Sequence, residues 1–207
     1  MTDNHVVHIV DDDEAVRQSL AFMLSSAGLA VRVYESASAF LAGLDTIQDG
    51  CLVTDIRMPD MTGIDLLRRI RAKARSLPAI VITGHGDVPL AVEAMKAGAI
   101  DFIEKPFDEE AILNAVKTAL ERAEGAPDGD LAAIAARLQT LSERERQVLE
   151  GLVAGHPNKV IAATLGISPR TVEVYRANLM TKMEAKSLSE LIRMAILAHM
   201  PAGGAPR

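Results

Sequence analysis

Five short apolar runs alternate with amphipathic segments over the first 122 residues, and this alternation restricts the fold more than any other feature of the chain. The runs cover residues 6–10, 30–34, 51–54, 79–83 and 100–104, and the helical patterns lie near 14–27, 37–44, 64–75, 88–97 and 109–122. Strands that alternate with helices form parallel sheets that are covered on both faces. We therefore predict a doubly wound α/β domain around a five-stranded parallel sheet over residues 1–122.

The rest of the chain shows helical patterns only. Residues 123–130 read AEGAPDGD, a run of helix and strand breakers, and 131–140 has a helical pattern. We interpret 123–140 as a partly helical linker. Four further helices are predicted at 143–154, 158–165, 169–183 and 187–198, which make 141–200 a small all-α domain.

Charge separates the two parts of the chain. Residues 1–124 carry a net charge of −8 and residues 125–207 a net charge of +2, which together give the −6 of the whole chain. This difference indicates different partners for the two domains. No apolar run reaches the roughly 20 residues of a membrane span, the N-terminus lacks a signal-peptide pattern, and Cys51 stands alone as a reduced thiol. We expect a cytoplasmic protein without a membrane partner.

Polar side chains lie at the ends of four of the five predicted strands. They are Asp11, Asp12 and Asp13 after the first strand, Asp55 at the end of the third, Thr83 as the last residue of the fourth, and Lys105 and Pro106 after the fifth. Ligands of open parallel sheets bind beyond the carboxyl ends of the strands, so these groups should converge. Hard carboxylate oxygens suit Mg²⁺. We predict that Asp11, Asp12, Asp55 and the backbone carbonyl of Arg57 hold it.

The same set suits phosphoryl transfer. Asp55 is the single acid at its strand end and is the predicted nucleophile, while Thr83 and Lys105 would hold the phosphoryl oxygens. Pro106 allows a cis peptide that directs Lys105 into the cleft. Plainer interpretations stay open for each residue alone: the three aspartates cap a helix, Asp55 lies in a turn, and Thr83 is an ordinary strand residue.

Four sequence blocks, HIVDDDEAVR, VTDIRMPDMTG, VITGHGD and DFIEKPF, resemble the receiver domains of two-component response regulators, which have a flavodoxin-like fold. The resemblance implies that a histidine kinase phosphorylates Asp55 and that Thr83 and Phe102 form a switch pair. The receiver would then catalyse only its own phosphotransfer and dephosphorylation, and phosphorylated receivers would dimerise through 88–97 and 101–104.

Two alternatives compete with this interpretation. The Asp-x-Asp of Asp11 and Asp13 also occurs in phosphatases of the haloacid dehalogenase type, but those enzymes need Thr or Val at the position of Ala15, and Asp55 would have no role. A constitutive DNA-binding protein with a degenerate receiver is the second alternative. The complete set of acids, hydroxyl and lysine disfavours it.

Residues 158–175, NKVIAATLGISPRTVEVY, have the pattern of a helix-turn-helix. Gly166 marks the turn, Ser168 can cap the second helix, and Pro169 suits its first position. A plain helical hairpin would have similar apolar spacing. On a helical wheel, the second helix buries Val172, Tyr175, Leu179 and Met183 and leaves the opposite face for a DNA groove. The predicted DNA contacts are Lys159, Arg170, Thr171, Glu173, Val174, Arg176, Ala177, Asn178 and Lys182.

Residues 141–196 resemble the helix-turn-helix domains of the LuxR/NarL type, in which a helix at the position of 187–198 mediates dimerisation. The combined motifs SERERQVL, PNKVIA, ISPRTVEV and VITGHGDVP resemble regulators that activate nitrogen-fixation genes at low oxygen. This resemblance implies a haem-based oxygen-sensing kinase, promoter DNA and RNA polymerase as partners. A related regulator of a different pathway is the alternative.

Overall fold

The computed structural model describes residues 5–47, 49–73, 77–84, 88–123 and 131–199. Of these, the residues within 1–86 and 97–126 form one compact unit, and those within 87–96 and 127–207 form a second. Several predicted positions lie outside the described residues, namely the helix end at 74–75, the linker segment 124–130 and the outer domain bounds at 1–4 and 200.

The first unit contains the predicted parallel sheet, whose strand order is β2-β1-β3-β4-β5. The strands are β1 (Val6–Val10), β2 (Ala30–Tyr34), β3 (Gly50–Asp55), β4 (Ala79–Thr83) and β5 (Ala99–Glu104). The helices that alternate with them are α1 (Glu14–Ser26), α2 (Ala37–Gly43), α3 (Gly63–Ala72), α4 (Val88–Ala97) and α5 (Glu109–Ala123), with a 3₁₀ turn at Leu44–Thr46. Residues 88–96 of α4 are grouped with the second unit.

The central strands β1, β3 and β4 are buried on both faces, as the continuous apolar runs predict, whereas the edge strands β2 and β5 are partly exposed. On one face Val7 and Ile9 of β1 pack in a cluster with apolar residues of α1 and α5. Since side chains alternate along a strand, His8 points to the opposite face, where its ring contacts Phe40 of α2 and Tyr34 of β2. The fold class predicted from the alternation is confirmed.

The second unit is helical. Its helices are α6 (Leu131–Gln139), α7 (Glu143–Val153), α8 (Asn158–Leu165), α9 (Pro169–Met183) and α10 (Leu188–His199). The helix that we predicted within the linker, α6, contributes buried Ile134 to the same apolar cluster as Leu149, Val172 and Leu191. Among the described residues, no helix is both long enough and apolar enough to cross a membrane.

The helix-turn-helix has the local features that its sequence predicts. Gly166 ends α8 in a left-handed conformation with φ of 66°, and open space surrounds the position of a Cβ atom there, so the backbone angle is what requires glycine. The hydroxyl of Ser168 accepts a hydrogen bond from the N–H of Thr171, and Pro169 opens α9.

Candidate functional site

The strand ends of the first unit meet around the side chain of Lys105. Its Nζ donates to Asp55 Oδ1 at 2.7 Å and to Asp11 Oδ2 at 3.0 Å. The carboxylates are almost enclosed, since 4% of the Asp11 side chain and 10% of the Asp55 side chain are exposed, against 24% for Lys105. The structure therefore brings together the ends of β1, β3 and β5, as expected for a parallel sheet.

Backbone groups hold these carboxylates in place. The N–H of Arg57 donates to Asp55 Oδ2 at 2.6 Å, and the N–H of Asp13 donates to Asp11 Oδ1 at 2.9 Å. Arg17, which the sequence analysis missed, donates from its guanidinium to the carbonyl oxygen of Asp11. No sequence signal relates Arg17 to this carbonyl, because the contact depends on how α1 returns along β1.

Burial and ion pairing act in opposite directions on the charges of this cluster. Burial raises the pKa of Asp11, although hydrogen bonds from Lys105 and from the N–H of Asp13 act against the shift. Burial opposes the charge of Lys105, but its hydrogen bonds to Asp55 and Asp11 outweigh that effect and raise its pKa. The cluster therefore depends on a cation between two carboxylates.

A close approach of α3 to β3 shapes the same edge of the sheet. A Cβ atom at Gly63 would lie 2.2 Å from the carbonyl oxygen of Asp55, so glycine is needed where α3 begins. The N–H of Gly63 donates to the carbonyl oxygen of Ile56, and the Thr62 hydroxyl caps the helix. The loop that carries Arg57 is thereby closed tightly behind Asp55.

The remaining predicted groups lie around this cluster. Thr83 is buried at the end of β4, and its carbonyl oxygen accepts a hydrogen bond from the N–H of Lys105. The Lys105–Pro106 peptide bond is cis, as the sequence allowed. Phe102 is half-buried on β5, opposite Val81.

Asp12 and Asp13 differ from Asp11 in their surroundings. Asp12 is exposed, and the carboxylate of Asp13 caps α1, so the plain capping interpretation holds for Asp13. In the described part of the chain, no three or more His, Cys, Asp and Glu side chains group closely enough to hold a metal ion. Lys105 thus bridges Asp11 and Asp55, while Asp12 lies at the surface.

In the second unit, α9 separates its faces as predicted. Val172, Leu179 and Met183 are buried, and Tyr175 is half-buried. The predicted DNA-facing side is exposed at Arg170, Glu173, Val174, Ala177 and Asn178, and Lys159 is exposed on α8; Thr171 is half-buried. An exposed face of this composition suits a DNA groove.

Two of the predicted DNA contacts already bind other side chains within the unit. Arg176 donates to Asn158 Oδ1 at 3.0 Å. Lys182 forms an ion pair with buried Glu145 at 2.7 Å. The sequence analysis missed Glu145; the pattern Ser142-x-x-Glu145 predicts the capping box found at the start of α7, but nothing in the sequence pairs Glu145 with Lys182.

Comparisons with known proteins agree with both units. Residues 7–117 match the model of the response regulator receiver domain, and residues 139–195 match that of bacterial regulatory proteins of the luxR family. The chain belongs to the two-component response regulators that carry a LuxR-type DNA-binding domain. Its resemblance to that family, inferred from the motifs, is confirmed.

The similarity extends over nearly the whole chain. The chain is 61% identical to the transcriptional regulatory protein FixJ of Rhizobium meliloti, over 95% of this chain and 97% of the relative. It is 44% identical to the C4-dicarboxylate transport transcriptional regulatory protein DctR of Rhodobacter capsulatus, over 91% and 98%. The crystal structure of full-length FixJ from B. japonicum superposes with a TM-score of 0.57 at 52% identity, covering 95% of this chain and 98% of that one.

Proposed function

We propose that Asp55 is the phosphoryl acceptor of this response regulator and that a histidine kinase is the donor. The observation that carries the proposal is the bridge from Lys105 to Asp55 and Asp11, at 2.7 and 3.0 Å. An Asp55 oxygen would attack phosphorus as the bond from phosphorus to the donor's histidine nitrogen breaks, and the donor imidazole leaves. Lys105 and the Thr83 hydroxyl would then bind the phosphoryl oxygens.

Mg²⁺ is the proposed cofactor, because the carboxylates of Asp11 and Asp55, both bound to Lys105, supply the hard oxygen ligands that it prefers. Mg²⁺ is held by a few carboxylate and carbonyl oxygens and keeps several waters. Here the ligands would be Asp11, Asp55 and the carbonyl of Arg57, with Asp12 turning from the surface towards the ion. Burial of Asp11 raises its pKa, and a second cation would favour its ionised form. Bound Mg²⁺ would neutralise charge on the phosphoryl oxygens. The receiver's own phosphotransfer and dephosphorylation would be its only chemistry.

The switch that we propose couples Asp55 to a neighbouring surface. Thr83 would move towards the phosphoryl group, and Phe102 would rotate into the space that Thr83 leaves. Residues 88–97 and 101–104 would then pair two receivers, and 187–198 would pair two DNA-binding domains. Thr83 is buried and Phe102 is half-buried. This burial supports the proposal, because a movement of either side chain would change the packing around it.

The exposed side of α9 is the proposed base-reading surface. Glu173 would accept a hydrogen bond from a cytosine amine, Val174 and Ala177 would contact thymine methyl groups, and Asn178 and Thr171 would donate or accept at base edges. Lys159, Arg170 and Arg176 would bind phosphates and set the register. Two such helices in a dimer would read half-sites about one helical turn apart.

The proposed role is to activate transcription of nitrogen-fixation genes at low oxygen. The proposed partners are RNA polymerase and a haem-based sensor kinase. It rests on the motifs that resemble regulators of nitrogen-fixation genes, and the 61% identity to the transcriptional regulatory protein FixJ supports it. A different pathway is the second candidate, because DctR, named for C4-dicarboxylate transport, is 44% identical over a similar share of the chain. Because promoter DNA is the proposed partner, the protein would act in the cytoplasm.

Intact-mass analysis after treatment with acetyl phosphate and Mg²⁺ tests the acceptor. We expect one added phosphoryl group in the wild type and none in Asp55→Asn. Asp60→Asn is the matched control, in which we expect one added group, because Asp60 follows Asp55 in the same loop but accepts a hydrogen bond from the N–H of Ser38 in α2. An equal adduct in Asp55→Asn would refute the assignment of Asp55.

A further inference from the structure

An ion pair links the last turn of α9 to the start of α7; its carboxylate is buried, whereas 39% of the lysine side chain is exposed. Lys182 Nζ lies 2.7 Å from Glu145 Oε2 and 3.4 Å from the carbonyl oxygen of Thr140. Glu145 is 4% exposed, and its Oε2 also accepts from the N–H and the hydroxyl of Ser142, at 2.7 and 2.8 Å. The hydrogen bonds from Ser142 therefore orient the Glu145 carboxylate independently of Lys182.

A second ion pair holds the residue that follows α9. Arg137 of α6 lies 2.5 Å from the carboxylate of Glu184, which ends α9 in a left-handed conformation with φ of 54°. The hydroxyl of Thr140 donates to the carbonyl oxygen of Arg137. One ion pair from α6 and one from α7 thus hold the C-terminal end of α9.

This arrangement changes the role expected of Lys182. A DNA phosphate would compete with the buried Glu145 carboxylate for Lys182. Withdrawing Lys182 would leave that carboxylate without its cation, which is unfavourable, and the 39% exposure of the Lys182 side chain reduces the cost. We propose that Lys182 is a positioning residue, which sets the direction of α9 through Glu145 and does not contact phosphate. The proposal rests on the proposed function of α9 as the base-reading helix.

A small change in the direction of α9 at its C-terminal end would displace the base-reading residues near its N-terminal end. Glu173 lies nine residues before Lys182, which is roughly 13 Å along a helix, so a tilt of about 10° at the last turn would move Glu173 by roughly 2 Å. Hydrogen bonds to base edges do not tolerate that displacement. Contacts with phosphates through flexible Lys and Arg side chains tolerate it better.

Fluorescence anisotropy with the full chain, treated with acetyl phosphate and Mg²⁺ so that it is in its proposed DNA-binding state, tests the proposal. The probes are a duplex recovered from a random-sequence library by the wild-type protein and a scrambled duplex of the same length, each titrated over a range of salt concentrations. The variants are Lys182→Met, Glu145→Gln, their combination and Lys182→Arg. Lys159→Met is the matched control, because Lys159 is an exposed lysine on the neighbouring helix of the motif. Thermal unfolding of each variant verifies that it folds.

We expect Lys182→Met to bind the selected duplex about tenfold more weakly, as for one lost base contact, and the scrambled duplex as the wild type does. Its salt dependence should match the wild type, whereas Lys159→Met should lower the slope by about 0.9 for one lost phosphate contact. Glu145→Gln should lose as much affinity for the selected duplex as Lys182→Met does, and the double variant should lose no more affinity than either single variant. Lys182→Arg should keep the selectivity of the wild type.

Three results would overturn the proposal. Equal weakening on both duplexes with a lowered salt slope in Lys182→Met would make Lys182 a phosphate contact. A change in thermal stability with unchanged selectivity would make the ion pair purely structural. If the wild type itself does not discriminate between the duplexes, the base-reading role of α9 fails, and the positioning role fails with it.

Discussion

Replacing Lys105 by methionine removes the cation on which the carboxylate cluster depends. Lys105 Nζ lies 2.7 Å from Asp55 Oδ1 and 3.0 Å from Asp11 Oδ2. Methionine keeps much of the side-chain volume and no charge, so two enclosed carboxylates would face each other without compensation. Breaking a buried ion pair by removing one partner costs about 3–5 kcal/mol.

Solvent reduces this cost, because about a quarter of the Lys105 side chain is exposed. We therefore expect the free energy of unfolding of the receiver to fall by about 2–3 kcal/mol at pH 7 without divalent ions. Burial already raises the pKa of Asp11, against Lys105, so the variant should raise it further. Since a protonated Asp11 no longer repels Asp55, the deficit should shrink as the pH falls towards the ordinary range of aspartate.

Urea unfolding of wild type and Lys105→Met, with EDTA or with Mg²⁺, measures these effects. If the carboxylates bind Mg²⁺, the ion should stabilise the variant more than the wild type, because Lys105 no longer competes for the same oxygens. Lys117→Met is the matched control, since Lys117 is exposed on α5. Equal stability losses in the two variants, or a deficit in Lys105→Met that does not change with pH, would refute this reasoning.

Three further predictions concern other parts of the chain. Burial, together with the charge of Arg32, lowers the pKa of His8 from 6.5 to about 4. Neutral His8 therefore contributes its full stabilisation above pH 6.5, and the free energy of unfolding of the receiver should fall by roughly 3 kcal/mol by pH 4. Urea unfolding across this pH range should show a clearly smaller loss of stability in acid for His8→Phe. Gly63→Ala would force a Cβ atom against the carbonyl oxygen of Asp55 and should destabilise the receiver by about 1–3 kcal/mol in the same assay. Gly43→Ala, whose Cβ atom would meet nothing within 4 Å, should leave stability almost unchanged. Glu173→Ala should relax selectivity at one base pair by about 1–3 kcal/mol, and binding to duplexes substituted at each position would reveal whether any position responds.

The alternation of apolar runs was sufficient to predict the sheet. The predicted strand at 51–54 is observed as Gly50–Asp55 and the predicted helix at 169–183 is observed at those bounds, because period and capping residues are local signals. Convergence of Asp11, Asp55 and Lys105 followed from one topological rule on parallel sheets.

Contacts between residues distant in sequence were not predictable in the same way. Glu145 and Lys182 are separated by 37 positions, and their pairing depends on how α7 crosses α9. The contact of His8 with Tyr34 and Phe40 depends likewise on the packing of α2 against the sheet. The burial of Ile134 also arises from tertiary packing, which places α6 in the helical core.

Light scattering combined with DNA footprinting, before and after acetyl phosphate with Mg²⁺, tests the central claim that phosphorylation of Asp55 controls DNA binding. We predict that the wild type becomes a dimer and protects two half-sites one helical turn apart on the selected duplex, and that Asp55→Asn stays monomeric and protects neither. A footprint and a mass that are the same in both proteins, with and without acetyl phosphate, would contradict the account.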